Sequence, residues 1–334
     1  MRHISRHRFV CLDIANVVPP AMLRYRDDMD TIARRSRMRR TRAGKRIELT
    51  DRDLDMFRWL ARYRYLPSTY IHAFVGGTSE TRFKERLGDL FHEGYLGRPE
   101  RQWEMANCRH RPVIHELGAG ATRVLDDGGI VEEPRTWFSA SPHRQFSHSL
   151  MVSEALASIE LGVRAAPNLR FVPWSEILAK ASPATRALAT SMRLPSTIQA
   201  GGVIPDGLFG IEYATEEKKR YRFFALEADR GTMPIVRSKP DQTSYVGKLA
   251  VYHDILSNQT YKTHLGIPNL FVLTVTTSEA RRAEIVRKVE ACGARPLFFF
   301  KAVDEKELRQ PVLQLLNQPW PRAGLLSVDI SESN

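Results

Sequence analysis

The sequence is poor in cysteine and in long apolar runs, and both absences narrow the class of protein. Three cysteines occur, Cys11, Cys108 and Cys292, and an odd, scattered set excludes a disulfide framework. No apolar run approaches the ~20 residues that cross a bilayer, and the first residues are basic instead of forming the apolar core of a signal peptide. We therefore expect a cytoplasmic protein with no membrane partner.

The common cofactor motifs are missing as well. The sequence contains no G-x-x-x-x-G-K-[ST], G-x-G-x-x-G or G-x-S-x-G, so NTPase, dinucleotide-binding and serine-hydrolase functions lack support. Cys108, His110 and His115 lie close together, but they lack the second ligand pair that a zinc site needs. The chemistry must come from other residues.

What the chain has in excess is positive charge near its start. Its 334 residues carry 50 Lys and Arg against 38 Asp and Glu, a net charge of +12. Residues 1–50 hold 13 of the basic and 5 of the acidic residues, which is +8. The block 34–46 has no apolar helical face for a membrane, and clustered Arg and Lys attract phosphates. We expect nucleic acid as the partner, with Arg39 and Arg40 as contacts; the alternative is a solvated tail.

A compact helical unit is predicted after this arm. Thr50 and Asp53 have capping-box spacing, and apolar residues then recur at helical spacing up to Pro67. Two further helices are expected at about 68–74 and from Thr78 to Gly94, followed by a basic two-stranded ribbon over 97–117 and a short helix.

Three helices and a basic ribbon in about 80 residues resemble a winged helix-turn-helix. In that family the third helix enters the major groove and the ribbon touches the flanking backbone. The resemblance implies double-stranded DNA as partner and the following contacts: Ser79, Arg82, Arg86, Arg98, Arg101, Arg109 and Arg111. The alternative is a plain helical module with solvated charges.

The domain organisation follows from these patterns. It comprises a basic arm (1–48), a winged-helix domain (49–126), a linker (127–144), a mixed α/β domain (145–304) and a C-terminal tail (305–334). The 334 residues suffice for roughly two domains with ordinary cores.

In the second domain, acidic residues stand at strand ends. The predicted order is helix, strand, strand, strand, helix, strand. Asp206 opens one strand, Glu227 and Asp229 end the next, and a polar turn between them suits a hairpin. Converging carboxylates repel unless a cation lies among them, and Mg²⁺ prefers oxygen ligands. Alternatively, Asp206 makes a turn, and Glu227 and Asp229 form salt bridges with Arg230, Arg222 or Lys248.

Pro205-Asp206 and Glu227-x-Asp229 in this order resemble the PD-(D/E)XK nuclease superfamily, with a restriction-endonuclease-like αβββαβ core. The resemblance implies Asp206 and Glu227 as ligands of Mg²⁺ or Mn²⁺, with Asp229 as a further ligand. Asp229 occupies the usual lysine position, so Lys248 on the next helix takes that role. Accessory residues implied by the pattern are Glu154, Gln242 and Tyr245.

More narrowly, Glu227-Ala-Asp-Arg-Gly-Thr232 and Lys248-Leu-Ala-Val-Tyr252, behind a winged helix, resemble the replication-relaxation family of mobile-element proteins. This implies a protein of plasmids, conjugative elements or phages that acts with relaxosome or replication proteins, and a homodimer is a further expectation.

Three hypotheses follow. The first is a Mg²⁺-dependent endodeoxyribonuclease or nickase that uses Asp206, Glu227, Asp229 and Lys248. The second is a catalytically degenerate nuclease fold that acts as a DNA-binding accessory or regulator. The third is a structural protein in an assembly where another subunit cuts the DNA.

Overall fold

The computed structural model describes residues 35–77, 79–129, 146–188, 191–214, 218–235, 244–291 and 296–332. Residues Met1–Arg39 and Arg40–Asn334 form separate units, and the second contains every element described below. Helices and several sheets confirm the mixed α/β class. Gln242 and most of the predicted linker lie outside the described residues.

The N-terminal part of the larger unit is a helical module with a small sheet. Its elements are α1 (Asp51–Tyr63), β1 (Leu66–Pro67), α2 (Ser68–Val75), α3 (Glu80–His92), β2 (Leu96–Gly97), β3 (Ile114–Leu117) and α4 (Ala119–Asp127). The capping box is confirmed, because Thr50 accepts from the backbone of Asp53 and the Asp53 carboxylate accepts from the backbone of Thr50. The three short strands pair in the order β1-β3-β2.

The two-stranded ribbon predicted over 97–117 is present only at its base. Strands β2 and β3 pair at two positions, whereas Glu100–Glu104 and Cys108–His110 form 3-10 turns. Gln102 explains the difference, because its side-chain amide bonds both the N–H and the C=O of Ile114, each at 2.9 Å. Pro99 and Pro112 also lack the N–H that a ladder needs. A side chain thus takes the place of a neighbouring strand.

The C-terminal part is built on a five-stranded mixed sheet. Its elements are α5 (Phe146–Ala165), β4 (Leu169–Val172), α6 (Trp174–Lys180), α7 (Pro183–Arg186), β5 (Gly207–Ala214), β6 (Lys219–Asp229), α8 (Tyr245–Ser257), α9 (Thr260–Leu265), β7 (Phe271–Thr276), α10 (Glu279–Ala291), β8 (Phe298–Ala302), α11 (Gln314–Asn317), β9 (Trp320–Arg322) and β10 (Leu325–Val328). The sheet order is β4-β5-β6-β7-β8. The first three strands are antiparallel, and β6, β7 and β8 are parallel. The predicted order of core elements is present, with α6 and α7 inserted after β4.

Alternation along β6 divides the core into two layers. Phe224 and Leu226 pack with α5 in a cluster that continues into the N-terminal module. Phe223 and Ala225 pack with α8 on the opposite face. Since side chains alternate along a strand, Glu227 and Asp229 lie on the α8 face. The periodicity of the strand therefore turns both acids toward the same helix layer.

Helix α5 joins the N-terminal module to the sheet. Glu160 accepts from Arg62 at 2.9 Å and from the hydroxyl of Tyr63. Ser158 bonds the hydroxyl of Tyr70 at 3.0 Å and the backbone of Val312 at 3.0 Å. These buried contacts bring α1, α2 and the C-terminal segment onto one helix.

The segment predicted as a C-terminal tail packs into this layer as well. Leu315, Trp320 and Ile330 are fully buried in the α5-side cluster, and the indole N–H of Trp320 donates to the carbonyl of Leu315 at 2.9 Å. Residues as far along the chain as Ile330 therefore contribute to the core. Within the described ranges, none of the helices combines the length and the apolar character that crossing a bilayer requires.

Candidate functional site

The antiparallel register of β5 and β6 brings two acids together. Gly207 pairs with Leu226 at the end of the ladder, and one step further the register sets Asp206 opposite Glu227. The Asp206 carboxylate accepts from the backbone N–H of Ala228 at 2.9 Å, which fixes its position beside the end of β6. The hairpin predicted from the sequence thus places these carboxylates side by side.

Helix α8 supplies the groups that face Glu227. It begins at the N-cap Ser244, and Tyr245, Lys248 and Tyr252 lie on one face because they are spaced by three and four residues. The Lys248 ammonium and the Tyr252 hydroxyl donate to different oxygens of the Glu227 carboxylate. The Tyr245 hydroxyl bonds Thr274, which pairs with Glu227 across the sheet. Glu227 is therefore held by an ammonium and a phenol.

Asp206 is held from the other side by His148, near the start of α5. The His148 Nε2 lies 3.1 Å from the Asp206 Oδ1, and the imidazole remains partly exposed. A side chain at Gly207 would meet Leu156 of α5 at 2.9 Å. Because glycine lacks that side chain, α5 packs against the strand that begins beside Asp206. This close approach sets His148 next to the acid.

Burial and charge shift the protonation of these groups in opposite directions. Burial, together with the charge of Asp206, raises the pKa of Glu227 to about 8. Burial would also raise the pKa of Asp206, but Lys248 and His148 lower it below its usual range. Hydrogen bonding to Asp206 raises the pKa of His148. Two carboxyl groups thus share one lysine and their pKa values shift in opposite directions, a pattern typical of functional sites.

Asp229, two residues further along β6, has a separate partner. Arg281 in the first turn of α10 donates to the Asp229 carboxylate at 2.7 Å, and the backbone N–H of Gly231 donates at 3.1 Å. Arg281 also donates to the carbonyl of Met233 at 2.5 Å. Asp229 thus anchors Arg281 and the turn after β6. Its role as a metal ligand stays a prediction.

The donor set suits an ion that needs few protein ligands. Over the described ranges, no group of three or more His, Cys, Asp or Glu side chains is placed to hold a metal ion. Mg²⁺ is commonly bound through one or two carboxylates, with waters and substrate phosphates completing its octahedron. The partly exposed Asp206 and the buried Glu227 fit that coordination; a cage built only of protein ligands does not.

The predicted accessory acid lies elsewhere. Glu154 follows His148 by six residues, which is 240° around a helix, so it faces away from Asp206. It lines a cavity of about 40 Å³ together with Arg111 and Arg309. Burial raises the pKa of Glu154 well above its usual range. The role of Glu154 as an accessory acid stays a prediction.

Three of the arginines predicted to touch DNA make internal contacts. Arg86 pairs with the buried Asp53, with its Nε 3.0 Å from one carboxylate oxygen. Arg40 donates to the carbonyls of Phe91 at 2.9 Å and Leu96 at 2.8 Å, and Arg98 lies 4.0 Å from the ring centre of Phe91. These guanidinium groups take part in holding the module together.

Other predicted contacts lie at the surface. Ser79 is the N-cap of α3, and Arg82 is exposed in the first turn of that helix. Arg109 is exposed, and Arg101 pairs with Glu104 at 2.8 Å on the surface. Arg39 is exposed within the smaller unit. Arg101 and Arg111 border a groove beside the start of α5.

Sequence reasoning did not find Arg281. Its only signal was the basic character of α10, since its partner lies 52 residues away in sequence. His148 and Tyr252 lie on α5 and α8, near the predicted site residues, but neither was among them. Their contacts depend on how α5 and α8 pack, which local patterns do not give.

Comparison with known proteins gives one match. The family model described as replication-relaxation matches residues 57–270, which spans the N-terminal module and the core as far as the start of β7. No curated protein and no solved structure shows a significant match to the chain.

Proposed function

The chain belongs to the replication-relaxation family, and from that premise we propose that it binds DNA and cleaves a phosphodiester bond in it. Membership of this family supports a role in replication or relaxation of plasmid or other mobile-element DNA, with DNA or replication proteins as partners. The finer proposal is a Mg²⁺- or Mn²⁺-dependent endonuclease or nickase.

One observation carries the proposal: Asp206, Glu227 and Lys248 meet at the end of β6. Three elements that are separate in sequence contribute them, and burial makes the arrangement costly unless something compensates. A structural salt bridge needs one acid and one base, whereas here two acids share the Lys248 ammonium. A second acid beside this pair supports a site for a divalent cation, which can in turn bind a phosphate.

The roles of the residues follow from their contacts. Asp206 and Glu227 would hold the divalent ion, which when bound would polarise the phosphodiester and lower the pKa of a water. The Lys248 ammonium is available to stabilise negative charge that develops on the phosphate. Tyr252 and His148 orient the two carboxylates by the hydrogen bonds described above. Asp229 orients Arg281.

For DNA binding we propose that residues 49–127 act as a winged helix with α3 in the major groove. The supporting features are three helices, a three-stranded sheet and an exposed N-terminal turn of α3 that presents Ser79 and Arg82. A helix enters the major groove with such an exposed face. Arg86 is excluded from the set of contacts because it neutralises Asp53.

A nicking assay on supercoiled plasmid with Mg²⁺ or Mn²⁺ tests the cleavage. We expect Asp206→Asn and Glu227→Gln to abolish nicking, because each removes a charged ligand while keeping the size of the side chain. Glu100→Gln removes an exposed carboxylate outside the site and should cleave like the wild type. Unchanged cleavage in the two site variants would rule out the assignment.

The direct Lys248–Glu227 and Arg281–Asp229 pairs favour a second candidate. In that case the fold is catalytically degenerate, and the chain acts as a DNA-binding accessory or regulator of replication or relaxation. Calorimetric titration with Mn²⁺ separates the two: an active site binds the ion and loses it in Asp206→Asn, whereas a degenerate one shows no heat that depends on Asp206.

A further inference from the structure

A groove between the N-terminal module and the core has no role so far. It has a volume of about 380 Å³ and is bordered by the 3-10 turns of residues 100–110 on one side and by the start of α5 on the other. Three arginines line it, Arg101, Arg111 and Arg230, together with Glu104 and Glu305. Arg309 and Arg111 continue into the smaller cavity that adjoins it.

The groove adjoins the acid pair along the chain. Ser147 lines the groove, and the next residue, His148, contacts Asp206. Arg230 lines it as well, and it directly follows Asp229 at the end of β6. Two residues that line the groove on the core side are therefore direct sequence neighbours of residues at the candidate site.

Two of the arginines that line the groove form ion pairs that a phosphate could replace. Arg230 pairs with Glu305 at 3.2 Å and Arg101 with Glu104 at 2.8 Å, and the side chains of all four are partly or well exposed. Exposed pairs of this kind contribute little to stability, so an incoming phosphate can replace the glutamate at small cost. Arg111 and Arg309 add further positive charge along the groove and the cavity that adjoins it. The groove is thus basic once an anion engages it.

We infer that this groove binds the sugar-phosphate backbone of the DNA strand that enters the Asp206–Glu227 site. The inference rests on the proposed function, because it takes DNA as the partner. It adds Arg230 as a contact, assigns Arg101 and Arg111 to the same strand, and makes Glu305 and Glu104 competitors of the phosphates. The arginines of two sequence regions would then fix one strand relative to the acids.

Fluorescence anisotropy with a short labelled duplex, in EDTA so that no cleavage occurs, tests the groove. We expect Arg230→Gln to weaken binding about three- to tenfold and to lower the slope of log K against log salt by about 0.9, the loss of one phosphate contact. Glu305→Gln removes the competing charge and should tighten binding by a similar factor. Arg123→Gln, an exposed arginine on α4 outside the groove, should bind like the wild type.

The two groove variants are expected to change the affinity for DNA in opposite directions. Partial unfolding cannot produce this result, because a damaged fold would not tighten binding. Wild-type affinity in both Arg230→Gln and Glu305→Gln, or weakening in both, would overturn the inference. If these variants bind normally while Asp206→Asn stops nicking, the groove is wrong and the nuclease stands. If they shift binding as expected and no nicking occurs in any protein, the groove stands and the nuclease is wrong.

Discussion

Buried charges occur in two regions of the molecule, and they are balanced differently. In the N-terminal module one acid, Asp53, faces one base, Arg86, and is only 1% exposed. Burial would raise the pKa of Asp53, but Arg86 lowers it below its usual value. In the core, Glu227 and Asp206 share Lys248, and the pKa of Glu227 rises to about 8.

This difference distinguishes an ion pair that stabilises the fold from a group of charges that can act on a ligand. A one-to-one pair removes the cost of burying each charge, so the Asp53–Arg86 contact is explained by stability alone. Two acids with one lysine are not balanced one to one, so the second acid holds a proton or a cation, and folded proteins keep such arrangements mainly where they act on a ligand. Substitutions should therefore affect activity in the core site and stability in the module.

The largest expected effect is on activity in the core. Under the proposed function, Lys248→Met should reduce plasmid nicking by about 10²–10³-fold, the usual loss when one group that stabilises developing charge is removed. Lys262→Met on the exposed face of α9 is the matched control. Nicking rates at saturating Mg²⁺ measure the effect, and equal rates in the two variants would remove Lys248 from the mechanism.

The next effect is on stability in the module. Arg86→Met leaves the buried Asp53 without its ion-pair partner, and we expect the free energy of unfolding to fall by about 3 kcal/mol. Arg82→Met lies one turn earlier on α3 but is exposed, so it should change stability by less than about 0.5 kcal/mol. Urea unfolding measures both. A loss in Arg86→Met as small as that in Arg82→Met would contradict a structural role for the pair.

In both regions, local rules of the sequence predicted part of the structure. Strand alternation and the polar turn predicted that Asp206 and Glu227 lie side by side, and helical spacing placed Lys248 and Tyr245 on one face. These are local rules, and the structure follows them. In the module, the capping box was predicted in the same way.

What local rules missed depends on packing between distant elements. Gln102 ends the predicted ribbon because it bonds Ile114 across a turn, and a side-chain amide of this kind has no periodic signature. Arg86 reads as an exposed basic residue on α3 until α1 brings Asp53 against it. Glu154 matches a pattern by its place in the element order, but its angle around α5 turns it away from Asp206.

The last contrast is a pH dependence that distinguishes the two regions by sign. Between its ordinary pKa of 4.5 and its folded value of about 8, Glu227 holds a proton in the folded chain and not in the unfolded one. The free energy of unfolding therefore falls as pH rises through this window, by up to about 1.4 kcal/mol per pH unit. The raised pKa of His148 acts in the same direction, since its stabilisation is lost as pH rises through its folded value.

Asp53 acts the other way, because a lowered pKa contributes stability above the ordinary value of 3.8 and loses it only as pH falls toward the folded value. Unfolding curves between pH 5 and 8 should thus show a shallower decline in Glu227→Gln than in the wild type, and an unchanged decline in Asp53→Asn. The raised pKa values of Glu154 and Glu116 contribute equally to all three proteins and cancel in the comparison. An equal decline in Glu227→Gln and the wild type would mean that Glu227 is ionised like Asp53, and the contrast between a balanced pair and an unbalanced one would fail.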